Sequence, residues 1–536
     1  MTSPMDLLRN RITLDTIPFS DRGSRIMVLR RQRTLHFQLA ETWTQDHPQT
    51  LLTLELLDDD GSALDLDLVT LPHQVEIATR QGKFTLCFID PETVMLALPP
   101  QRCTIRLRVQ AESIQPDRRG GAIQVADERP LTVTYTTNAA IRQHDVSETS
   151  ESCQTILALE GEAERVYTLN ILRTVTRHRY LPRPQGVVES ARRRWQVWFD
   201  TAPTVPEAER EQYYFAWWIL GINLLRLYTH PQHEGMIPSK RGYVGVWNWD
   251  SYFHAIALRH SDIALARDQF RILVSHQLAN GMIPDVIQDH AVISHTTDYG
   301  IDADITKPPL TAWAIWKLYE IDGDKAFLDE MYDPLVRSQR WWFAEHDTDQ
   351  NGLCEYLHPY SSGLDNNPLF DDGVPLESPD LNAYLIVQYD TLAKIAAELG
   401  RDDESRNWSH AAEALMQRLI DQRWDADAGY FWAWRRGEKV TIRTPFNLLP
   451  LLTGRLPHSI AQQLVAHLTD PEQFWTRYPV PTVARNDPTY DPQVMWRGPV
   501  WINVNYLLIE GLLRSGFAAE ASELRRKTLA MIRSQP

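Results

Sequence analysis

A chain of 536 residues exceeds what one compact core fills and suits two domains of unequal size. Hydrophobic residues at 43% and charged residues at 23% match a folded globular protein and exclude a disordered, collagen-like or coiled-coil chain. The 70 Asp and Glu outnumber the 54 Lys and Arg, and the net charge of −16 repels nucleic acid and anionic membrane surfaces, so neither is expected as a partner.

The first 25 residues, MTSPMDLLRNRITLDTIPFSDRGSR, place charges where a secretory leader needs an apolar run. No stretch of 18 apolar residues follows anywhere. Cys87, Cys103, Cys153 and Cys354 are scattered without a CxxC pair, which suits a reducing compartment, and a cytoplasmic protein is expected. From about residue 10 to 180, segments such as LLTLELL, QVEIAT, KFTLCFI, CTIRLRVQA, PLTVTYTT and QTILALE alternate with period two between Asp, Gly, Pro and Ser clusters. No amphipathic helix intervenes, so residues 1–182 are expected to form an antiparallel β-sandwich domain. Residues 181–194, rich in Pro and Arg, read as a connection.

Beyond it the period changes to 3.6. Eleven helices are expected near 206–228, 250–260, 262–279, 308–321, 324–345, 378–399, 402–422, 444–452, 456–468, 498–514 and 516–533, within a second domain, 183–536. Of 18 Trp, 17 fall between Trp195 and Trp501, where indoles serve as core filler or as platforms for sugar rings. Paired helices of this length suggest a closed toroid with its long loops gathered at one rim.

Those loops carry the chemistry. In VGVWNWDSYFH, Trp247, Trp249 and Phe253 surround Asp250; rings stack on sugar C–H faces while a carboxylate accepts from hydroxyls, although Asp250 serves equally well as a helix cap. GMIPD and TKPPL contribute Asp285 and Lys307 as pocket candidates, the prolines being helix-start signals in their own right. In LHPYSSGLDNNPLFDDGVPLESPDLNAYL, Asp365 lies in a tight turn among Tyr360, Phe370 and other acids, with Tyr384 further on. Burial and like charge would raise its pKa, as a general acid requires; a turn aspartate satisfying its own backbone is the alternative. In DPQVMWRGPVWINVNYLL, Trp496, Arg497 and Trp501 precede Asn503, and Arg497 suits either a ligand clamp or a partner for a buried acid.

DTDQNGLCEYLH resembles half a calcium loop through Asp347, Asp349 and Asn351, but His358 stands where a bidentate Glu belongs, so an Asx-rich turn is expected. HPQH lacks zinc-site spacing, and no P-loop, GxGxxG or GxSxG occurs. No metal or cofactor is expected.

WNWDSYFH, GMIPD, ITKPP, SSGLDNNPLFD, SPDLNAYL and MWRGPVWINVNYLL, in this order over about residues 195–533, resemble glycoside hydrolase family 63, in particular its mannosylglycerate and glucosylglycerate hydrolases and related α-glucosidases. The resemblance implies an (α/α)6 barrel and inverting hydrolysis of α-glycosides, with Asp365 as general acid. It implies a sugar-binding wall of Trp249, Asp250 and Phe253 faced by Trp496, Arg497 and Trp501. Tyr360-Ser361 stands where the family pattern has Trp-Glu, which points to an altered substrate, and the large β-domain favours an α-glucoside or oligosaccharide. The general-base motif of the family is not found; Glu510, Glu520 and Glu523 lie in helical stretches. A barrel lacking its twelfth helix, C-terminally incomplete and poorly active as given, is therefore expected. The alternatives are a carbohydrate-binding protein on a glycosidase scaffold and a trehalase- or debranching-like α-glucosidase. Composition leaves the oligomeric state open.

Overall fold

The computed structural model describes residues 3–41, 50–125, 130–149, 152–173 and 181–534. They form two compact units, Met1–Gly245 and Val246–Pro536. Among the described residues no helix is long and apolar enough to cross a membrane.

The first unit is built on two antiparallel sheets. The six-stranded sheet runs, in spatial order, through Ile26–Arg31, Thr34–Leu39, Thr50–Leu57, Cys103–Val109, Cys153–Leu159 and Ile141–Glu148. Its inner strands show the period-two pattern directly: Cys103, Ile105, Leu107 and Val109 are buried, and the residues between them are not. The eight-stranded sheet has Val166–Leu172 between Thr93–Ala97 and Leu131–Thr137, and every residue of that strand is buried. The Tyr135 hydroxyl and His144 Nε2, one from each sheet, lie 3.1 Å apart. Edge strands lacked the sequence signal. Ile141–Glu148 (IRQHDVSE) is mostly exposed and polar, and Ala111–Asp117 carries Pro116, as edges tolerate.

Three expectations about helices are corrected. Residues 181–194 are not a bare connection: helix Pro184–Asp200 starts there, with Pro184 at its first turn and Val187, Ala191, Trp195, Trp198 and Phe199 buried on one face. Of the arginines that suggested a linker, Arg192 and Arg193 are exposed, while Arg194 beside Trp198 donates to Asp21 and to the Phe88 carbonyl. The expected helix 206–228 ends at Ile222, because Leu224–Leu227 pairs as a strand with His230–Met236. Trp198 and Trp217 lock helix Pro184–Asp200 to helix Arg210–Ile222, each indole N–H donating to the other residue's carbonyl at 2.8 and 3.1 Å. The expected helix 444–452 is instead two 3₁₀ turns, Pro445–Asn447 and Leu449–Thr453, because Pro445 and Pro450 lack the N–H donors that an α-helix interior needs.

In the second unit, helices follow one another in closely connected pairs: Asn248–Leu258 with Ile263–Ser275, Thr311–Asp322 with Lys325–Glu345, Pro379–Glu398 with Asp402–Arg423, and Ile502–Arg514 with Ala518–Arg533. His458–Leu468 lies between the last two pairs in sequence. Pro379–Glu398 is the most buried, with apolar side chains on nearly all its faces. The long connections carry short strands and turns, and they position the site.

Candidate active site

Backbone pairing assembles the site from four loops. Val246–Trp247 pairs antiparallel with Val286–Ile287, and the Asn248 N–H donates to the Asp285 carbonyl at 2.9 Å, which sets Trp247 beside Asp285. The Thr306 hydroxyl donates to the Ile283 carbonyl at 2.6 Å, and the Thr306 N–H donates to Ser361 Oγ at 3.3 Å. Ser361, where the family resemblance led to Glu, is thus fully buried and spent on fixing the backbone next to Lys307.

Lys307 organises the centre. Its Nζ lies 2.8 Å from Asp285 Oδ1 and 3.9 Å from Asp365 Oδ1, and it donates to the Tyr360 carbonyl at 2.7 Å. The rings of Trp247 and Tyr360 each lie 5.8 Å from the ammonium. Lys307 and Asp285 are almost fully buried, whereas the Asp365 side chain keeps 37% exposure and opens outward.

Four titratable groups therefore share one poorly solvated space. Burial pushes Asp250 up to about 7; Lys307 pulls it down, while the charges of Asp285 and Asp365 push it up further. Asp285 is likewise raised by burial, to about 6, against the pull of Lys307. Burial raises Asp365 as well, with Lys307 opposing. For Lys307 burial works against the ammonium, but Asp285, Asp365 and Asp250 outweigh it and its pKa is raised. One cation facing three carboxyls favours holding a proton among the acids.

The turn carrying Asp365 is closely determined. Ser362 Oγ donates to the Pro359 carbonyl at 2.7 Å and accepts from the Leu364 N–H at 3.1 Å. Gly363 has φ +75°, and a Cβ there would fall 2.8 Å from the Trp249 indole, so only glycine lets Trp249 pack beneath the Asp365 turn. Trp249 packs edge-on against Phe253, with ring centroids 5.7 Å apart.

The fourth loop is tied to this turn through the asparagines after Asp365. Asn366 Oδ1 accepts from the Trp496 N–H at 3.0 Å, and Asn367 Nδ2 donates to the Trp496 carbonyl at 3.0 Å and the Thr482 carbonyl at 3.2 Å. Trp496 and Trp501 stack with centroids 3.9 Å apart. Arg497 Nε donates to the Asn366 carbonyl at 3.0 Å and its guanidinium pairs with Asp371, so it braces the loop.

The structure thus brings Trp247, Trp249, Asp250, Phe253, Asp285, Lys307, Tyr360 and Asp365 into one locality and ties Trp496, Arg497 and Trp501 to it. Tyr384 is grouped with Tyr356 and Asp380 inside the helical core and is 1% exposed. Asn503 opens the helix after Trp501, its Oδ1 buried without a hydrogen-bond partner among the described residues. Glu510 is held by Lys317 at 2.7 Å and Glu523 by Arg526 at 2.6 Å. The acidic turn is internally satisfied: Asp347 accepts from the Gly352 N–H at 3.1 Å and Asn351 Oδ1 from the Leu353 N–H at 2.8 Å. Among the described residues no group of three His, Cys, Asp or Glu is disposed to hold a metal.

Two residues at the rim escaped sequence reasoning. Tyr299 is 63% exposed, adopts φ +57° and packs edge-on against Tyr360 at 5.6 Å; the Tyr360 hydroxyl donates to Asp298 Oδ2 at 2.9 Å. The Asp-Tyr-Gly turn signal was visible there, but its proximity to Tyr360 is a tertiary fact.

The family model described as "Mannosylglycerate hydrolase MGH1-like glycoside hydrolase domain" matches residues 243–536. The mannosylglycerate hydrolase of Thermus thermophilus is 27% identical over 388 residues, covering 59% of this chain and 91% of that protein. The glucosylglycerate hydrolase of Mycolicibacterium hassiacum is 24% identical over 379 residues, covering 54% and 84%. The solved structure of a family 63 mannosylglycerate hydrolase from Thermus thermophilus with Tris and D-glycerate aligns with a TM-score of 0.48 at 24% identity, over 55% of this chain and 86% of that one. With a match to more than half its length, the chain belongs to the mannosylglycerate hydrolase MGH1-like members of glycoside hydrolase family 63 and is a glycoside hydrolase.

Proposed function

We propose that this chain hydrolyses a small α-linked glucoside or mannoside, of glycosylglycerate or short-oligosaccharide type, with inversion at the anomeric carbon and Asp365 as the general acid. One observation carries the reading: a partly open carboxyl, raised by burial, stands at the mouth of a space whose other charges are Lys307, Asp285 and Asp250. A glycosidic oxygen entering there meets the Asp365 carboxyl, whose burial favours the proton-carrying form; that proton passes to the oxygen and the aglycone leaves as an alcohol. Inversion also requires a carboxylate about 6.5–9.5 Å from the acid to activate water on the opposite face of the sugar. No residue of this cluster is assigned that role.

The remaining roles follow from chemistry. Trp249, 5% exposed beneath the Asp365 turn, and Phe253 back the sugar site, and Asp250 accepts from sugar hydroxyls when ionised. The Trp496–Trp501 stack is tied to the Asp365 turn through Asn366 and Asn367. Lys307 holds Asp285 ionised and fixes the Tyr360 backbone. Ser361, buried and bound to Thr306, gives the substrate no carboxylate, which supports a substrate differing from that of relatives with Glu at that place. The paired helices beyond Val246 support an (α/α)6-type barrel as the catalytic domain. A cytoplasmic location fits the four free, buried cysteines.

The test is incubation of the full chain with glucosylglycerate, mannosylglycerate, maltose, kojibiose and p-nitrophenyl α-glycosides, with released sugar measured. Turnover on at least one of these, lost in Asp365→Asn, is expected. Calorimetric sugar binding with no turnover at high protein concentration would favour a binding protein instead.

A further inference from the structure

The first unit contains a cavity of about 950 Å³ whose lining residues all lie between Asp21 and Glu234. The proposed hydrolysis makes no use of it. One stripe of helix Pro184–Asp200 forms a wall, with Arg193, Arg194, Val197 and Trp198 recurring at helical spacing. Fixed ion pairs build the rest. Arg194 Nη2 lies 2.7 Å from Asp21 Oδ2 and 3.0 Å from the Phe88 carbonyl. Arg22 pairs with Glu234 at 2.8 Å, and its guanidinium lies 5.1 Å over the Trp198 ring. These contacts preform the space, which lies at the upper end of the volumes typical of small-molecule sites.

Two arginines of the lining stand apart. Among the described residues neither Arg193 nor Arg226 has a carboxylate at ion-pairing distance, although five acids share the cavity with six arginines. Arg226 Nη1 is anchored to the Pro231 and Gln232 carbonyls at 3.1 and 2.9 Å, so its cationic fork is held in place without being neutralised. Arg193 is exposed on the helix wall. Between charged groups the lining also presents Val197 and Tyr228, which are 68% and 47% exposed, the Tyr228 ring already carrying the Arg25 guanidinium 4.3 Å from its centre. In a chain of net charge −16, two guanidiniums in a preformed hollow that have no carboxylate partner among the described residues favour anions. Apolar and aromatic surface beside them suits the C–H face of a sugar ring.

We infer that this cavity is a second binding site, for a hexose carrying a phosphate or carboxylate group, separate from the hydrolytic cluster around Lys307. The anion is held by Arg193 and Arg226, and the ring lies against Val197 and Tyr228.

The experiment is isothermal titration of the full chain with glucose 6-phosphate and glucuronate, against glucose and inorganic phosphate. Either charged sugar, or both, should bind at least about ten-fold tighter than glucose and than inorganic phosphate, which reveals whether phosphate or carboxylate is preferred. Raising the salt concentration should weaken that binding. The double variant Arg193→Ala/Arg226→Gln should lose about ten-fold or more in affinity while keeping the wild-type melting temperature and hydrolytic rate. Asp365→Asn should bind the charged sugars as the wild type does, which keeps this outcome separate from the fate of the hydrolytic reading. No binding, equal binding of inorganic phosphate, or full affinity in a folded double variant would overturn the proposal.

Discussion

Lys307 Nζ and Asp285 Oδ1 lie 2.8 Å apart with both side chains about 95% or more buried, which makes this ion pair the fixed point around which the site is arranged. Removing one partner strands the other charge in a poorly solvated space. Lys307→Met should therefore cost about 3–5 kcal/mol in urea unfolding, and Lys307→Met/Asp285→Asn should recover a substantial part of that loss. A double variant as unstable as the single one would show that the pair is not held by its mutual charge.

The raised carboxyls make a pH prediction with a definite sign. Folding raises Asp250 to about 7 and Asp285 to about 6, above the ~3.9 of an unfolded aspartate. Within that window the folded chain binds more protons than the unfolded one. Their contribution to stability is thus fully present near pH 4, falls as pH rises, and is lost by about pH 7. Asp250→Asn should gain stability relative to wild type between about pH 4 and about pH 8. Urea midpoints that move in parallel for the two proteins would contradict this.

Asp365→Asn should leave the fold intact and lower turnover by about 10²–10⁴-fold, more for poor leaving groups. A p-nitrophenyl or fluoride leaving group needs little protonation, so those substrates should suffer far less. Equal loss on activated and unactivated substrates would mean that Asp365 acts only through structure.

Gly363→Ala places a methyl group 2.8 Å from the Trp249 indole at φ +75°. The left-handed backbone alone costs about 1–2 kcal/mol. Displacing Trp249 should raise KM more than it lowers kcat, and the sugar-dependent change in Trp fluorescence should shrink. An unchanged KM would remove Trp249 from the substrate wall.

How much of this could be seen in the sequence depends on whether the signal was local. Inner strands such as Cys103–Val109 alternate and were legible; edge strand Ile141–Glu148 does not, because one face and one edge meet water. The Pro- and Arg-rich stretch at 181–194 misled because Pro184 begins a helix and the arginines flank its buried face, Arg194 pairing with Asp21. At the site, Asp285, Lys307 and Asp365 stood out as residue types set in long loops, but their convergence depends on contacts spanning 22 to 58 positions, such as Thr306 with Ser361. Arg497 looked like a ligand clamp until its pairing with Asp371 gave it a bracing role. Tyr299 carried at most a turn signal, and only the folded loop sets its ring against Tyr360.

The most direct measurement of the central claim is proton NMR of the sugar in the first minutes of hydrolysis of an α-glycoside, before mutarotation, with Asp365→Asn in parallel. Inverting hydrolysis by Asp365 predicts that the β-anomer appears first and that the variant forms it at a small fraction of the wild-type rate. Initial release of the α-anomer, or β-anomer formed equally fast by the variant, would contradict it.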